Sequence, residues 1–475
     1  MTAPRLRVVE ARLRERPVRF RLPFRFGATT VTGAPQAFLR LVVETADGRR
    51  AEGQAAELLV PKWFDKDPGL TETQNFDQLR RSLAIAANLY RDAAPASAFA
   101  LHTALEPRQH AACAAESLRG AGGVLASFGL ALFDRAILDA LCRLEGIDAV
   151  TAVRTNRMGL DAATAPDLAE FDLGLFLAGL SPAETLHARH TVGLADPITT
   201  AEIPAAERLD DGLPQSLEQA VAAYGHSHFK LKLSGRADAD LDRLGRIAAV
   251  LDTLPHYRAT LDGNEQFAEA GPVVEFWDRF ADPRLARLRA AILFLEQPIA
   301  RARALAEPIH ALAERIPVEI DESDADIGAF PRARALGYRG VSSKSCKGVY
   351  RALLNRARIA KWSAESGTRF FLSAEDLTTQ GGVALQQDLA LAALVGAGHV
   401  ERNGHHYVDG MAGAPAAEQQ AFLAAHPDLY AASGGRTRLA IRGGRLAIGS
   451  VLAARGLGAA VTPDWSAMAD GPLEI

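Results

Sequence analysis

Between residues 229 and 344, five short apolar runs, FKLKL, RATLDGN, AILFLEQP, IPVEIDES and YRGVSSK, each carry a charged side chain at or near the C-terminal end. These side chains are Lys230 and Lys232, Asp262, Glu296, Asp321 and Lys344. The gaps between the runs hold about one helix each, and strands alternating with helices predict a parallel sheet covered by helices. Its simplest closed form is an eight-stranded α/β barrel of the TIM type, in which the C-terminal strand ends build the active-site face. Three carboxylates flanked by lysines on that face would make a site for a hard divalent cation with bases beside it.

The alternation extends in both directions. A strand candidate starts near residue 191, and RFFLSAED (369–376) and HVERNGHH (399–406) follow Lys344, which brings the strands to eight. Residues 5–60 instead alternate polar and apolar positions, with Asp47-Gly48 as a hairpin turn, and read as an antiparallel sheet. Residues 72–148 read as helices, ending in ALFDRAILDALCRLEGI, where apolar residues recur at three- and four-residue spacing. The expected organisation is an N-terminal α+β domain (1–150), a connecting insertion with short helices (151–186), the barrel (187–410) and a C-terminal segment (411–475) returning to the first domain.

A chain of 475 residues can bury a core of this size. Lys+Arg number 53 against 57 for Asp+Glu, a formal net charge of -4, so there is no global electrostatic case for a nucleic acid or membrane partner. A small-molecule substrate is expected. Cys113, Cys142 and Cys346 are odd in number and far apart, which argues against a disulfide framework and fits a reducing compartment. The first twenty residues are charged throughout and lack an apolar signal-peptide core, and no later stretch offers about 18 uninterrupted apolar residues. The expected location is cytoplasmic, and a homo-oligomer is compatible with everything above.

A lone carboxylate after a strand is ordinarily a helix cap or turn residue, and lysines are ordinarily solvated. Three carboxylates at successive strand ends, with Lys-x-Lys before them and a lysine after, are not accounted for in that way. Few carboxylates with open positions suit Mg²⁺. Lys230 and Lys232 are two residues apart and face the same side of their strand. With a cation nearby they disfavour each other's protonation, and the expected pKa direction is downward, toward a base. Lys344 lies four strands from Lys232, across the barrel. Two bases on opposite faces of one bound carbon could remove and return a proton.

Read jointly, Lys-x-Lys (Lys230, Lys232), Asp-x-Asn (Asp262, Asn264), Glu-Gln-Pro (Glu296 to Pro298), Asp-Glu-Ser (Asp321 to Ser323) and the strand-end Lys344 resemble the enolase superfamily, on the side of its muconate lactonizing enzyme-like subgroup. The resemblance covers essentially the whole chain. It implies a capping domain over a modified (β/α)₇β barrel, Mg²⁺ held by Asp262, Glu296 and Asp321, and abstraction of a proton α to a carboxylate. By the same resemblance Lys232 and Lys344 are the acid/base pair and Lys230 helps hold the substrate's carboxylate. Such a proton is very weakly acidic, because its removal places a second negative charge on one group; a divalent cation with ammonium groups stabilises that charge.

The seventh strand ends in Ser373-Ala374-Glu375-Asp376 without a histidine, which disfavours the histidine-based arrangements of mandelate racemase-like enzymes. The expected substrate is a small carboxylic acid, and the expected outcome an isomerisation, that is racemisation, epimerisation or cycloisomerisation. A carbon-oxygen lyase on the same site and a metal-free Schiff-base lysine enzyme are the alternatives. Asn264, Glu375, Asp376, His405 and Trp63 are candidate substrate contacts. The segments 20–32 and 55–69 are expected as loops over the site, and Cys346 as a buried small hydrophobe.

Overall fold

The structure, a computed structural model, describes residues 3–118 and 123–471. Three antiparallel strands open the chain: β1 (Leu6–Phe26), β2 (Thr29–Thr45) and β3 (Arg50–Leu58). Three helices follow, α1 (Glu72–Arg91), α2 (Ala98–Ala115) and α3 (Val124–Glu145). A capping box at Thr71 and Gln74 starts α1, satisfying two otherwise orphaned backbone donors. In α3 every residue from Val124 to Cys142 is buried, as befits a helix covered on all sides. Its charged residues are therefore paired: Arg135 Nη2 donates to Glu57 Oε2 at 2.9 Å, and Asp139 accepts from the Gln54 and Leu457 amides at 3.0 and 2.7 Å.

The barrel comprises β4 (Thr185–Val192), β5 (His228–Lys232), β6 (Arg258–Asp262), β7 (Ile292–Glu296), β8 (Val318–Ile320), β9 (Gly340–Ser343), β10 (Phe371–Ala374) and β11 (His399–Arg402). All eight are parallel in sequential order, and β11 pairs with β4 to close the cylinder, with Glu401 opposite Arg189. Helical segments occupy the seven connections between them. The first strand begins at Thr185 rather than near residue 191. Its polar residues Arg189 and Thr191 share one face and bond within the barrel interior, to Glu375 and Glu401.

The remaining strands are β12 (Tyr430–Ser433), β13 (Arg436–Leu439), β14 (Arg445–Ala447) and β15 (Ala469–Asp470). The C-terminal segment divides its pairings. β14 adds antiparallel to the barrel strand β4, while β15 joins β1 in the N-terminal sheet. Arg16 grips Glu418 through two hydrogen bonds of 2.9 and 2.7 Å, and Gln54 Nε2 donates to Val461 O, so the tail is tied to the capping sheet at several points. The capping domain's core runs without interruption into the barrel helices Val349–Ser366 and Val383–Leu394. Cys113, Cys142 and Cys346 are buried free thiols, and among the described residues no helix is long and apolar enough to cross a membrane.

Residues 20–32 are not a loop: β1 and β2 run as one long hairpin that turns at Gly27-Ala28. Phe24 and Phe26, near its tip, reach the barrel mouth. The sheet is held against α3 at Gly53, where a Cβ would lie 2.0 Å from Ala136 O and 2.5 Å from Ala140 N. Such overpacking costs about 1 to 3 kcal/mol or more. Gly53→Ala should therefore lower the midpoint of thermal unfolding by several degrees; an unchanged midpoint would show that strand and helix separate freely.

Candidate active site at the barrel mouth

Strand alternation sends Lys230 and Lys232 into the barrel, where they are 1 % and 7 % exposed. Lys230 Nζ stands at the point where four carboxylates converge, 2.9 Å from Asp262, 2.7 Å from Glu296, 2.7 Å from Glu375 and 3.0 Å from Glu401. Lys232 Nζ donates to Asp262 Oδ2 at 2.5 Å. Across the barrel, Lys344 is paired with Asp321, which also accepts from the Ser342 hydroxyl. Lys347 lies 3.4 Å from Asp321 and 3.2 Å from Asp324.

The strand ends carry the backbone distortions common where chemistry is located. Asn264, Glu265 and Gln297 all have positive φ without being glycine, at 41°, 68° and 30°. The turn after β7 brings the Gln297 carboxamide oxygen to the Asp321 and Ser323 amides, at 2.8 and 3.0 Å, and so fixes the start of the turn that presents Asp321. Asp262 Oδ1 accepts the Asn264 amide at 2.8 Å.

Electrostatics here run against one expectation. Burial alone would favour the neutral amine of Lys230, but Asp262, Glu296, Glu375 and Glu401 outweigh it and hold its pKa well above the ordinary value. Lys344 is likewise raised, burial being opposed chiefly by Asp321. Lys230 and Lys344 are thus held as ammonium ions, not poised as free bases. Among the acids, Glu296 is pushed well up by burial, then by Asp262 and Glu375; Glu319 is pushed well up by burial and then by Glu375. Asp262 is lowered, because Lys230 and Lys232 overcome its burial. Glu319 Oε2 and Glu322 Oε2 have no hydrogen-bond donor. More carboxyl groups are buried here than there are lysines to pair with them, and an all-oxygen donor set of that kind fits a hard divalent cation.

Two sets of three carboxylates are available to such an ion. Asp262 and Glu296 are register partners on adjacent strands, and Asp321 follows the next one. One layer deeper, oxygens of Glu296, Glu319 and Glu375 lie within 4.8 Å of one another. Glu296 belongs to both.

A cavity of about 330 Å³ above these groups is bounded by Lys230, Lys232, Asn264, Lys344, Asp376, Thr378, Glu401 and Asn403 from the barrel, and by Phe24, Phe26, Val60 and Trp63 from the cap. The 61–69 segment is docked, not splayed. Arg301 donates to the carbonyls of Trp63 and Phe64 at 2.8 and 3.2 Å, and Lys66 reaches Glu265 and Glu322. Trp63 lays its ring 4.4 Å from Lys344 Nζ, a cation–π contact, while Phe64 turns back onto Phe128 of α3.

Of the candidate substrate contacts, Asn264, Asp376 and Trp63 line this cavity. Glu375 lies beneath it, bridging Lys230 and Arg189. Asp376 accepts from the Thr379 and Asn403 amides, both at 2.7 Å, so its oxygens are committed to the turns around it. His405 is not at this cavity. It follows β11 in a short helix and packs against His190 and His226, lining a different cavity. Sequence reading missed Glu319, Glu401, Arg189 and Lys347. The first two share alternation parity with Asp321 and His399, a signal present in VEID and HVER; Lys347 lies beyond its strand, where parity gives no guidance.

No protein-family model and no curated protein matches the chain. Solved structures do, across nearly its full length. An enolase from Bradyrhizobium, complexed with magnesium and mandelic acid, matches with a TM-score of 0.60 at 16% identity, covering 98% of each chain. A dipeptide epimerase from Enterococcus faecalis, complexed with Mg and the dipeptide L-Leu-L-Tyr, matches at 0.59 and 14%, over 95% of this chain and 99% of that one. The 2-chloromuconate cycloisomerase of Rhodococcus opacus matches at 0.56 and 17%, over 97% and 98%. The chain thus has, from capping sheet to barrel, the fold of the mandelate racemase/muconate lactonizing enzyme group of the enolase superfamily.

Proposed function

We propose that this protein removes the proton α to the carboxylate of a small acid and completes an isomerisation. The observation that carries the reading is that Lys232 and Lys344, from the second and sixth strands of a closed eight-stranded barrel, line one cavity. In this reading Asp262, Glu296 and Asp321 hold Mg²⁺. That ion, when bound, supplies positive charge for the second negative charge that develops on the substrate's carboxylate.

The chain's own groups do the rest. Lys230, central among the acids, adds an ammonium at the substrate's carboxylate and helps orient the α-proton. Lys232 Nζ or Lys344 Nζ, as the neutral amine, takes the α-proton while the C–H electron pair moves into the carboxylate. The opposite ammonium then returns a proton to the other face. Asp321 holds the proton on Lys344, so Lys344 becomes a base only when Asp321 is engaged elsewhere; Lys232 is paired in the same way with Asp262. The roof of Phe24, Phe26, Val60 and Trp63 excludes water and suits an acid with an apolar or unsaturated substituent.

Two features favour isomerisation over its rivals. A lyase of the histidine-assisted kind needs a histidine acid for its leaving group, and no histidine is among the described residues that line the cavity, where lysines stand on both sides instead. A Schiff-base enzyme would leave the converging carboxylates Asp262, Glu296 and Asp321 without a task. The fold neighbours whose structures hold mandelic acid and a dipeptide support a small carboxylate substrate.

In deuterated water, the enzyme should wash deuterium into the α-position of a slowly turned over acid such as mandelate or a dipeptide. Lys232→Ala should remove exchange from one enantiomer and Lys344→Ala from the other, each by about 10²- to 10⁴-fold. Either variant exchanging both enantiomers at near wild-type rates would overturn the two-base assignment.

A further inference from the structure

We propose that His190, His226 and His405 form a second metal site, for a borderline divalent transition ion of the Zn²⁺ type, on the outer side of the barrel wall. The residues come from three places: strand β4, the turn before β5 and the short helix after β11. The barrel brings them together because β4 lies between β11 and β5. His190 alternates with Arg189 and Thr191, which face inward, and so points out of the barrel.

One ring nitrogen of each histidine lies within 4.8 Å of the others. His190 Nδ1 and His405 Nε2 are 3.1 Å apart. Two nitrogens bound to one tetrahedral ion at about 2.0 to 2.1 Å are separated by about 3.3 Å, so this pair already has a ligand-like spacing. The independent observation is on His226. Its Nδ1 sits 3.1 Å from Ala188 O, which makes that nitrogen the N–H donor and leaves a lone pair on Nε2. His226 is 1 % exposed, and its Nε2 has no hydrogen-bond partner. Burying an unsatisfied acceptor is costly, and a metal ion would satisfy it. The Ala188 carbonyl is the kind of outer partner that orients metal-binding imidazoles.

Burial, with neighbouring histidines adding for two of the three, keeps all three rings neutral, the form that binds metal. The nearby guanidiniums are neutralised, Arg21 by Asp211 and Arg402 by Asp388. Three imidazoles select a borderline ion, whereas the oxygen sets inside the barrel select a hard one. Three protein ligands leave a fourth position open, and His405, alone of the three, also lines a neighbouring cavity.

The test is Zn²⁺ titration of the whole protein by calorimetry in saturating Mg²⁺, with X-ray absorption on the zinc-loaded sample. The expected result is one zinc per chain with three imidazoles in its first shell at about 2.0 to 2.1 Å. Affinity should fall at least about 10-fold in His226→Gln and in His405→Gln, each checked for folding by circular dichroism. No zinc bound, a first shell dominated by oxygen, or unchanged affinity in both folded variants would overturn the site. The wild-type absorption spectrum decides the question even where a variant does not fold.

Discussion

The ammonium of Lys230 is the joint on which the barrel interior depends. It meets carboxylates from β6, β7 and the ends of β10 and β11, four strands of a closed cylinder, through contacts of 2.7 to 3.0 Å. Charges this deeply buried are tolerated only when paired and hydrogen-bonded, and removing one partner leaves its neighbours uncompensated. Arg189 extends the joint through Glu375, and Thr191 extends it through Glu401. What would ordinarily be layers of branched apolar side chains is here a connected polar network. Apolar packing is displaced outward, to the interface between strands and helices.

The cap completes this arrangement by covering it. The β1–β2 hairpin supplies two phenylalanines and the docked 61–69 segment supplies Trp63, so the charged floor faces an apolar roof. Electrostatic interactions strengthen as water leaves. The cap is not a loose lid, since its core continues into two barrel helices and its loop is pinned by Arg301. A substrate in this cavity would contact both domains at once.

Much of this was legible because strand ends punctuate the sequence. FKLKL, RATLDGN, LFLEQP, VEIDES and GVSSK lie on five consecutive barrel strands, and the alternating N-terminal segment is the antiparallel sheet. What escaped was depth. Glu319 sits two residues before Asp321 and faces the same interior, but a glutamate in mid-strand looks like a solvated residue until the barrel is known to close. The surroundings of Lys230 escaped for a related reason: sequence shows which charges are near along the chain, not that four acids from separate strands meet on one nitrogen. His405 was expected at the substrate, whereas its partners, His190 and His226, come from another part of the barrel.

The central claim is that the surplus of carboxyl groups at the mouth holds a divalent cation on Asp262, Glu296 and Asp321. Calorimetric titration with Mg²⁺ tests it most directly when wild type, Asp321→Asn and Glu319→Gln are compared. The account predicts one ion per chain, bound at least about 10-fold more weakly by Asp321→Asn and nearly as tightly as wild type by Glu319→Gln. Loss of binding in Glu319→Gln with retention in Asp321→Asn would place the ion one layer deeper, on Glu296, Glu319 and Glu375. No binding to wild type would contradict the account outright.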